Sequence, residues 1–337
     1  MQRFQNGVLR PPLQFRKTQV RHLMFDLQRY GSRTAFVFGT IVMVLSGCEF
    51  GLDPTPDDGS PPGYDVEEPF PIDRGDDGLT TPGKYKGLWL RMVNNGAPLV
   101  EPLEGRIGVV CIGMSDPATE CGDYIARINS HWIGDVASDV VVLNCGRPGA
   151  GIEDWLNAEH DWNLWGACLN VLLPYIPISR DQIRVVYHTA ANRETTRADG
   201  TPLPTYPHPE SDYQNLYDNL DTFAERVTTF FPNVQAVYTS SRNYAGFAGG
   251  GEPLSYEEGH AVNSWLGQNS MVNGVWYGWG AYAWAPDCAS EVMNGGGICY
   301  NQTDFDQGGL HSSPVGRGKV SWLIHHRLLL EGWYRRR

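Results

Sequence analysis

Basic charge is scarce in this chain. Its 337 residues carry 26 Lys and Arg against 38 Asp and Glu, a net charge of −12. Seven of the basic residues (Arg3, Arg10, Arg16, Lys17, Arg21, Arg29 and Arg33) precede position 48 beside one acid, Asp26, so the remainder stands near −18. A body that acidic argues against nucleic acid as a partner, because affinity there comes from neutralising phosphates. Metal-ligand spacing is missing too: the nine histidines and the carboxylates form no HExxH-like cluster. The sequence contains no Walker lysine and no GxGxxG followed by a ribose-binding acid, so nucleotide binding has little support. There is no internal repeat. A long apolar run is also lacking: Thr34 to Ser46 is too short to span a bilayer comfortably.

That run is, however, the right size for a signal-peptide core, and Arg29 and Arg33 precede it. It ends in Leu45-Ser46-Gly47-Cys48, small residues directly before a cysteine. This resembles the lipobox of bacterial lipoproteins, which implies lipidation of Cys48 and removal of residues 1–47. A start at Met24 would give the leader a conventional length. The stretch from Glu49 to Gly83 is rich in Pro, Gly and Asp and has little apolar surface to bury, so it reads as a disordered tether. The expected organisation is a signal peptide over 1–47, a lipidated Cys48 with its linker over 48–83, and a folded domain over 84–337. About 250 residues are enough for one sizeable core.

Within that domain Leu88-Trp89-Leu90-Arg91-Met92-Val93 reads as a short edge strand. Strand-like runs follow at Ile107–Ile112, Val140–Leu143, Ile183–Tyr187, Val234–Tyr238 and Gly274–Tyr277. Segments with helical spacing of apolar residues lie between them, at Asp154–Leu173, Asp212–Phe230 and Tyr256–Met271, and Val315–Leu330 closes the chain as a helix. Pro117–Ser130 can also be helical. Continuous apolar strands alternating with helices predict an α/β fold with a parallel sheet covered on both faces. In such sheets ligands bind at the carboxyl ends of the strands, so the chemistry is expected there.

The residues at those ends are informative. After the first strand, Gly113-Met114-Ser115 puts a serine on the turn, either as a nucleophile or as a cap for the next helix. After the second, Asn144-Cys145-Gly146-Arg147-Pro148-Gly149-Ala150-Gly151 permits tight turning and close backbone approach to a ligand. After the third comes His188-Thr189-Ala190-Ala191-Asn192: the Asn192 amide can donate to an oxyanion or simply make a turn, and His188 reads as a packed histidine. After the fourth, Arg242 can pair with a substrate carboxylate or with Glu252. Val275 to Asp287 is dense in aromatics, Trp279 and Trp284 among them, which line ring-binding clefts but also fill cores. His311 stands on a loop before the last helix with carboxylates nearby, the natural general base for a serine.

Four of these segments, in order, resemble the blocks of an SGNH (GDSL-type) hydrolase, and more closely the extracytoplasmic bacterial branch whose first block reads Gly-Met-Ser. They are Gly113-Met114-Ser115 through Glu120, Asn144 to Gly149, Asn192, and His311 in Gly-Leu-His-Ser-Ser-Pro. The resemblance spans about residues 105–330. It implies a flavodoxin-like three-layer α/β/α sandwich with a mostly parallel five-stranded sheet. It also implies that Ser115 is the nucleophile, that His311 is the base, and that the oxyanion is held by the N–H groups of Ser115 and Gly149 and the Asn192 amide. Arg242, Trp279 and Trp284 are the expected substrate contacts. No metal or cofactor is implied. One position departs from the family: the aspartate expected three residues before the histidine is Gly308. Asp306 can take its place, with Asp304 a weaker substitute, or a backbone carbonyl can orient the imidazole and leave a Ser-His dyad.

With export implied, six cysteines remain beside Cys48. Cys288 with Cys299 is the expected bridge, Cys145 pairs with Cys168 or Cys121, and Cys111 in its buried strand is expected to be free. The resulting expectation is an exported, membrane-anchored serine esterase acting on an ester, such as an acylated carbohydrate. The competing readings are a catalytically inactive binding lipoprotein on the same fold, motivated by Gly308, and a surface-assembly lipoprotein.

Overall fold

A computed structural model describes residues 92–337, apart from 158–162, 207, 249–251, 253, 286 and 289–297. All of them belong to one compact unit, Asp53–Arg337. The leader, Cys48, the tether and the first residues of the expected edge strand lie outside the described residues. Met92 and Val93 lie inside them and form no strand; the Val93 N–H donates to Asn263 Oδ1 at 2.9 Å instead.

A six-stranded sheet forms the middle layer: β1 (Ile107–Ile112), β2 (Val140–Asn144), β3 (Ile183–Thr189), β4 (Ala236–Ser240), β5 (Met271–Val272) and β6 (Val275–Trp279). Their order is β2-β1-β3-β4-β6-β5, and every pairing is parallel except β5 with β6. The expected five strands are present, with β4 starting two residues later than its apolar run. The sixth, β5, was not foreseen. Asn273 and Gly274 both take positive φ (51° and 79°), the backbone a tight hairpin needs, and so fold Met271-Val272 back along β6.

The strands are buried on both faces because helices cover both. Along β1 the side chains alternate, Val110 and Ile112 entering one apolar cluster and Ile107, Val109 and Cys111 the other. The second cluster is closed by α1 (Ser115–Ile128) and α6 (Pro314–Leu328). On α1 the buried residues Pro117, Glu120, Cys121, Tyr124 and Ile128 recur at helical spacing, which makes one face of it a core face. Pro314 opens α6 at a first-turn position where its missing N–H costs nothing, and the Ser313 hydroxyl caps the helix by accepting from Gly316 N. The first cluster is closed by α2 (Ile152–Leu156), α3 (Leu164–Gly166), α4 (Asp212–Phe230) and α5 (Leu254–Gln268).

The single helix expected over Asp154–Leu173 is broken. Asn157 ends α2 in an extended conformation and Asn163 starts α3 from a left-handed one (φ 42°), after which Ala167–Leu172 runs as a π-helix. Disulfides join Cys288 to Cys299, as expected, and Cys145 to Cys168, one of its two expected partners. The expectation of a free Cys111 is corrected: it is bonded to Cys121. Its side chain points from the sheet toward α1, and Cys121 lies on the buried face of that helix. Among the described residues no helix is long and apolar enough to cross a membrane.

Candidate active site

The turn after β1 owes its shape to one glycine. Gly113 has φ of +144°, and a Cβ there would stand 2.8 Å from Pro117 and 3.1 Å from the Thr189 carbonyl. The chain therefore leaves β1 abruptly, and Ser115 becomes the first residue of α1. Ser115 is not the helix cap. That position is Met114, which supplies no side-chain bond, so the Ser115 hydroxyl is left for other use. Its backbone N–H belongs to the first turn, where no intrahelical acceptor exists.

The imidazole of His311 meets that hydroxyl, with Nε2 3.0 Å from Ser115 Oγ. On the other side of the ring Nδ1 stands 3.3 Å from Asp306 Oδ2. The five-residue offset of this aspartate has a simple backbone cause. Phe305 bridges Ser312 antiparallel, and the Asp306 N–H donates to the His311 carbonyl at 2.7 Å, so the two residues face each other across a short loop. The loop turns at Gly308 and Gly309, where Gly309 N donates back to Asp306 O at 3.0 Å. A Cβ at Gly308 would stand 3.3 Å from Asp306 Oδ1, in the space this carboxylate uses. Desolvation raises Asp306, but the N–H groups of Leu310 and His311 and the imidazole outweigh it and hold the carboxyl below its ordinary value. The pair is open to water, with the His311 side chain 45% exposed and that of Asp306 47%.

Ser115 and His311 line a cleft of about 430 Å³ at the carboxyl ends of the strands. Pro148 and Gly149 enter it from the β2 turn, Asn192 from the β3 turn and Arg242 from the β4 turn. This is the switch point of the sheet, since the chain adds β2 on one side of β1 and β3 on the other. Gly149 takes φ of +77°, and the turn around it is tied down by Arg147 N donating to the Gly113 carbonyl at 2.8 Å. Asn192 lines the cleft, yet its amide nitrogen donates to Asp212, to Oδ1 at 3.0 Å and to the carbonyl at 3.2 Å. In this state the Asn192 amide holds α4 in place and is not aimed at an oxyanion.

Arg242 pairs with Glu258, Nη1 to Oε2 at 3.2 Å, and not with Glu252. Burial alone would lower its pKa, but Glu258 and Asp212 beside it raise it, so the guanidinium stays charged in the cleft wall. Trp279 and Trp284 do not line the cleft, which corrects their expected role. Their indole N–H groups donate to Asn263 Oδ1 (2.9 Å) and Glu252 Oε1 (3.0 Å), and both rings are core. For Trp279 the physical reason is the sheet order, since β6 is two strands from β3 and under α5 rather than beside the cleft; Trp284, on the chain after β6, is packed into the same core. His188 is packed as expected, stacked on Phe223 with ring centroids 4.6 Å apart, and burial pushes its pKa down to about 3.

The sequence reading missed two carboxylates next to the serine. Asp116 Oδ1 accepts from the Ser312 N–H at 2.9 Å, and Glu120 Oε1 accepts from Ser312 Oγ at 2.8 Å and Asn243 Nδ2 at 3.1 Å. Burial raises Asp116, opposed by the Ser312 N–H and by His311 and Arg242. Burial, reinforced by Asp116, pushes Glu120 up to about 8. The signal was present in the sequence: two acids four apart on one helix face repel in water, and such a pattern points to burial or to a partner. Among the described residues no group of three or more His, Cys, Asp or Glu is arranged to hold a metal ion.

No protein-family model matches the sequence, and no curated protein matches it. Solved structures that resemble it include a candidate acylhydrolase from Bacteroides fragilis, at 13% identity over 67% of this chain and 88% of that one, with a TM-score of 0.39. A candidate GDSL-like lipase from Parabacteroides merdae is 12% identical over 69% of this chain and 100% of that one, with a TM-score of 0.42. An acetyl xylan esterase is 10% identical over 65% and 98%, with a TM-score of 0.39.

Proposed function

We propose that this protein is a serine ester hydrolase. The observation that carries the reading is the continuous chain Ser115 Oγ–His311 Nε2 (3.0 Å) and His311 Nδ1–Asp306 Oδ2 (3.3 Å) at the edge of a cleft. His311 takes the Ser115 proton as Oγ attacks the ester carbonyl, and the imidazolium then donates that proton to the leaving alcohol. Water, activated by the same imidazole, releases the acyl group in the second half of the cycle. Asp306 orients the ring and supports its positive charge. The N–H groups of Ser115 and Gly149 receive the developing oxyanion, each worth about 3–4 kcal/mol in the transition state. The Asn192 amide joins them only if it turns away from Asp212.

Asp306 beside His311 Nδ1 supports catalysis over binding alone, because Gly308 was the motive for the inactive alternative. The substrate class in this reading is an ester such as an acylated carbohydrate, with Arg242 contacting its polar part. Three disulfides support an oxidising compartment, and with the lipobox-like Cys48 they favour an exported protein anchored to a membrane by lipid. Hydrolysis of p-nitrophenyl acetate by the purified protein, with Ser115→Ala as control, tests the chemistry. Equal rates for the two proteins would exclude Ser115 as nucleophile.

A further inference from the structure

His311 and Asp306 stand on an exposed loop, yet the residue that follows His311 is buried and bonded on several sides. Ser312 is 1% exposed and is gripped from three directions. Its N–H donates to Asp116 Oδ1 at 2.9 Å, and its hydroxyl donates to Glu120 Oε1 at 2.8 Å. Asn243, from the turn after β4, donates Nδ2 to the Ser312 hydroxyl at 2.8 Å and to Glu120 Oε1 at 3.1 Å. Arg317, in the first turn of α6, donates Nε to the Ser312 carbonyl at 2.9 Å. Asp116 and Glu120 belong to α1, the helix that begins with Ser115. The base loop is therefore fastened to the helix of the nucleophile one residue away from the base.

We propose that Glu120, with Asp116, is a positioning residue that sets the Ser115–His311 distance by clamping Ser312 to α1. The inference rests on reading Ser115 and His311 as nucleophile and base. Glu120 touches neither residue and acts only through Ser312 and Asn243. Such a clamp matters because the Asp306–His311 contact is half in water, and the Phe305–Ser312 bridge and the Asp306 N–H to the His311 carbonyl join the loop to itself rather than to α1. Burying two acids is costly unless they are hydrogen-bonded or protonated. Burial pushes Glu120 up to about 8, toward the neutral acid, and a glutamine keeps the acceptor oxygen that Ser312 and Asn243 use.

The test compares Glu120→Gln with Glu120→Ala in the full protein, reading kcat, KM and hydrogen–deuterium exchange of residues 306–313. Glu120→Ala is expected to lower kcat roughly 30- to 100-fold, as for a misplaced catalytic group. KM should stay within about threefold, and the loop should exchange about tenfold faster. Glu120→Gln is expected to keep at least about a third of kcat and the parental exchange. If Glu120→Ala does not fold, Ser312→Ala removes the same bridge from its other end and is expected to give the same split. Parental kcat and exchange in Glu120→Ala would overturn the proposal, as would an equal loss in both Glu120 variants. Should the parent protein hydrolyse no ester, the exchange arm still decides the clamp, while the hydrolase reading fails separately.

Discussion

The Ser115 side and the His311 side of this cleft are built in different ways. Ser115 is held by the sheet: β1 is buried along its whole length, Gly113 forces the turn, and the Cys111–Cys121 disulfide ties the strand to the helix that starts at the serine. His311 and Asp306 are held by a loop, half exposed, whose geometry comes from one antiparallel bridge and from Ser312 beneath it. The first arrangement is rigid because many buried contacts agree. The second depends on a few buried polar bonds, and removing any one of them leaves its partner unsatisfied at about 1–3 kcal/mol. In the proposed clamp, positioning of His311 therefore falls mainly to the buried residues Ser312 and Glu120 behind it.

The largest effect that sharpens this contrast separates His311 from Asp306. His311→Ala removes the proposed proton carrier and is expected to lower kcat about 10⁴-fold or more, whereas Asp306→Asn should lower it only about 10- to 100-fold. The smaller figure follows from exposure: water screens the Asp306 carboxylate and can solvate the imidazolium in its place. Steady-state kinetics on the two variants decides it. Equal losses would mean that Asp306 acts as a buried triad acid does, and the two sides would then be alike.

The next effect is on stability. Burial raises Glu120 and Glu257 to about 8 and Asp212 to about 6, so the folded protein keeps protons that the unfolded chain has released. Their contribution is present below the ordinary carboxylate range and is lost as pH rises through these values. His188 and His260 are pushed down to about 3 by burial, and their contribution is lost as pH falls below 6.5. Between pH 6.5 and 8 the raised carboxylates set the trend among the described residues, so the thermal midpoint should fall with rising pH. Glu120→Gln should flatten that fall. A midpoint that is constant over this range, or falls equally in the variant, would place the Glu120 proton elsewhere.

The smallest expected effect concerns the aromatic segment. Trp284→Phe should leave KM within about twofold, because the indole does not reach the cleft, and should destabilise the protein by about 1 kcal/mol by removing one of the donors to Glu252 Oε1, which keeps Ala245 N–H and the Ser255 hydroxyl. Chemical denaturation and KM measured together check both halves. A large rise in KM with unchanged stability would return Trp284 to the substrate site.

What could be read from the sequence follows the same division. The strand runs and α4 were legible because apolar period and length are local properties, and Ser115, Gly149, Asn192 and His311 stood at strand or helix ends in a recognisable order. The Cys111–Cys121 bridge was not legible, since pairing depends on which face of β1 turns toward α1. Asp306 was legible only as one option among several. Its opposition to His311 is set by the Phe305–Ser312 bridge, and sequence spacing does not display which residues of a loop face each other. Trp279 and Trp284 were ambiguous because aromatic density reads the same in a core as in a cleft. Asp116 and Glu120 were visible as an acid pair on one helix face, but their partner Ser312 lies nearly 200 residues away in the chain.

The central claim is that Ser115 is activated by His311. A fluorophosphonate probe, which phosphonylates an activated serine hydroxyl, tests it when the labelled peptide is mapped by mass spectrometry. The expected result is a single adduct on Ser115, absent after heat denaturation and strongly slowed in His311→Ala. An adduct on another serine, or labelling of Ser115 at the same rate with and without His311, would contradict it.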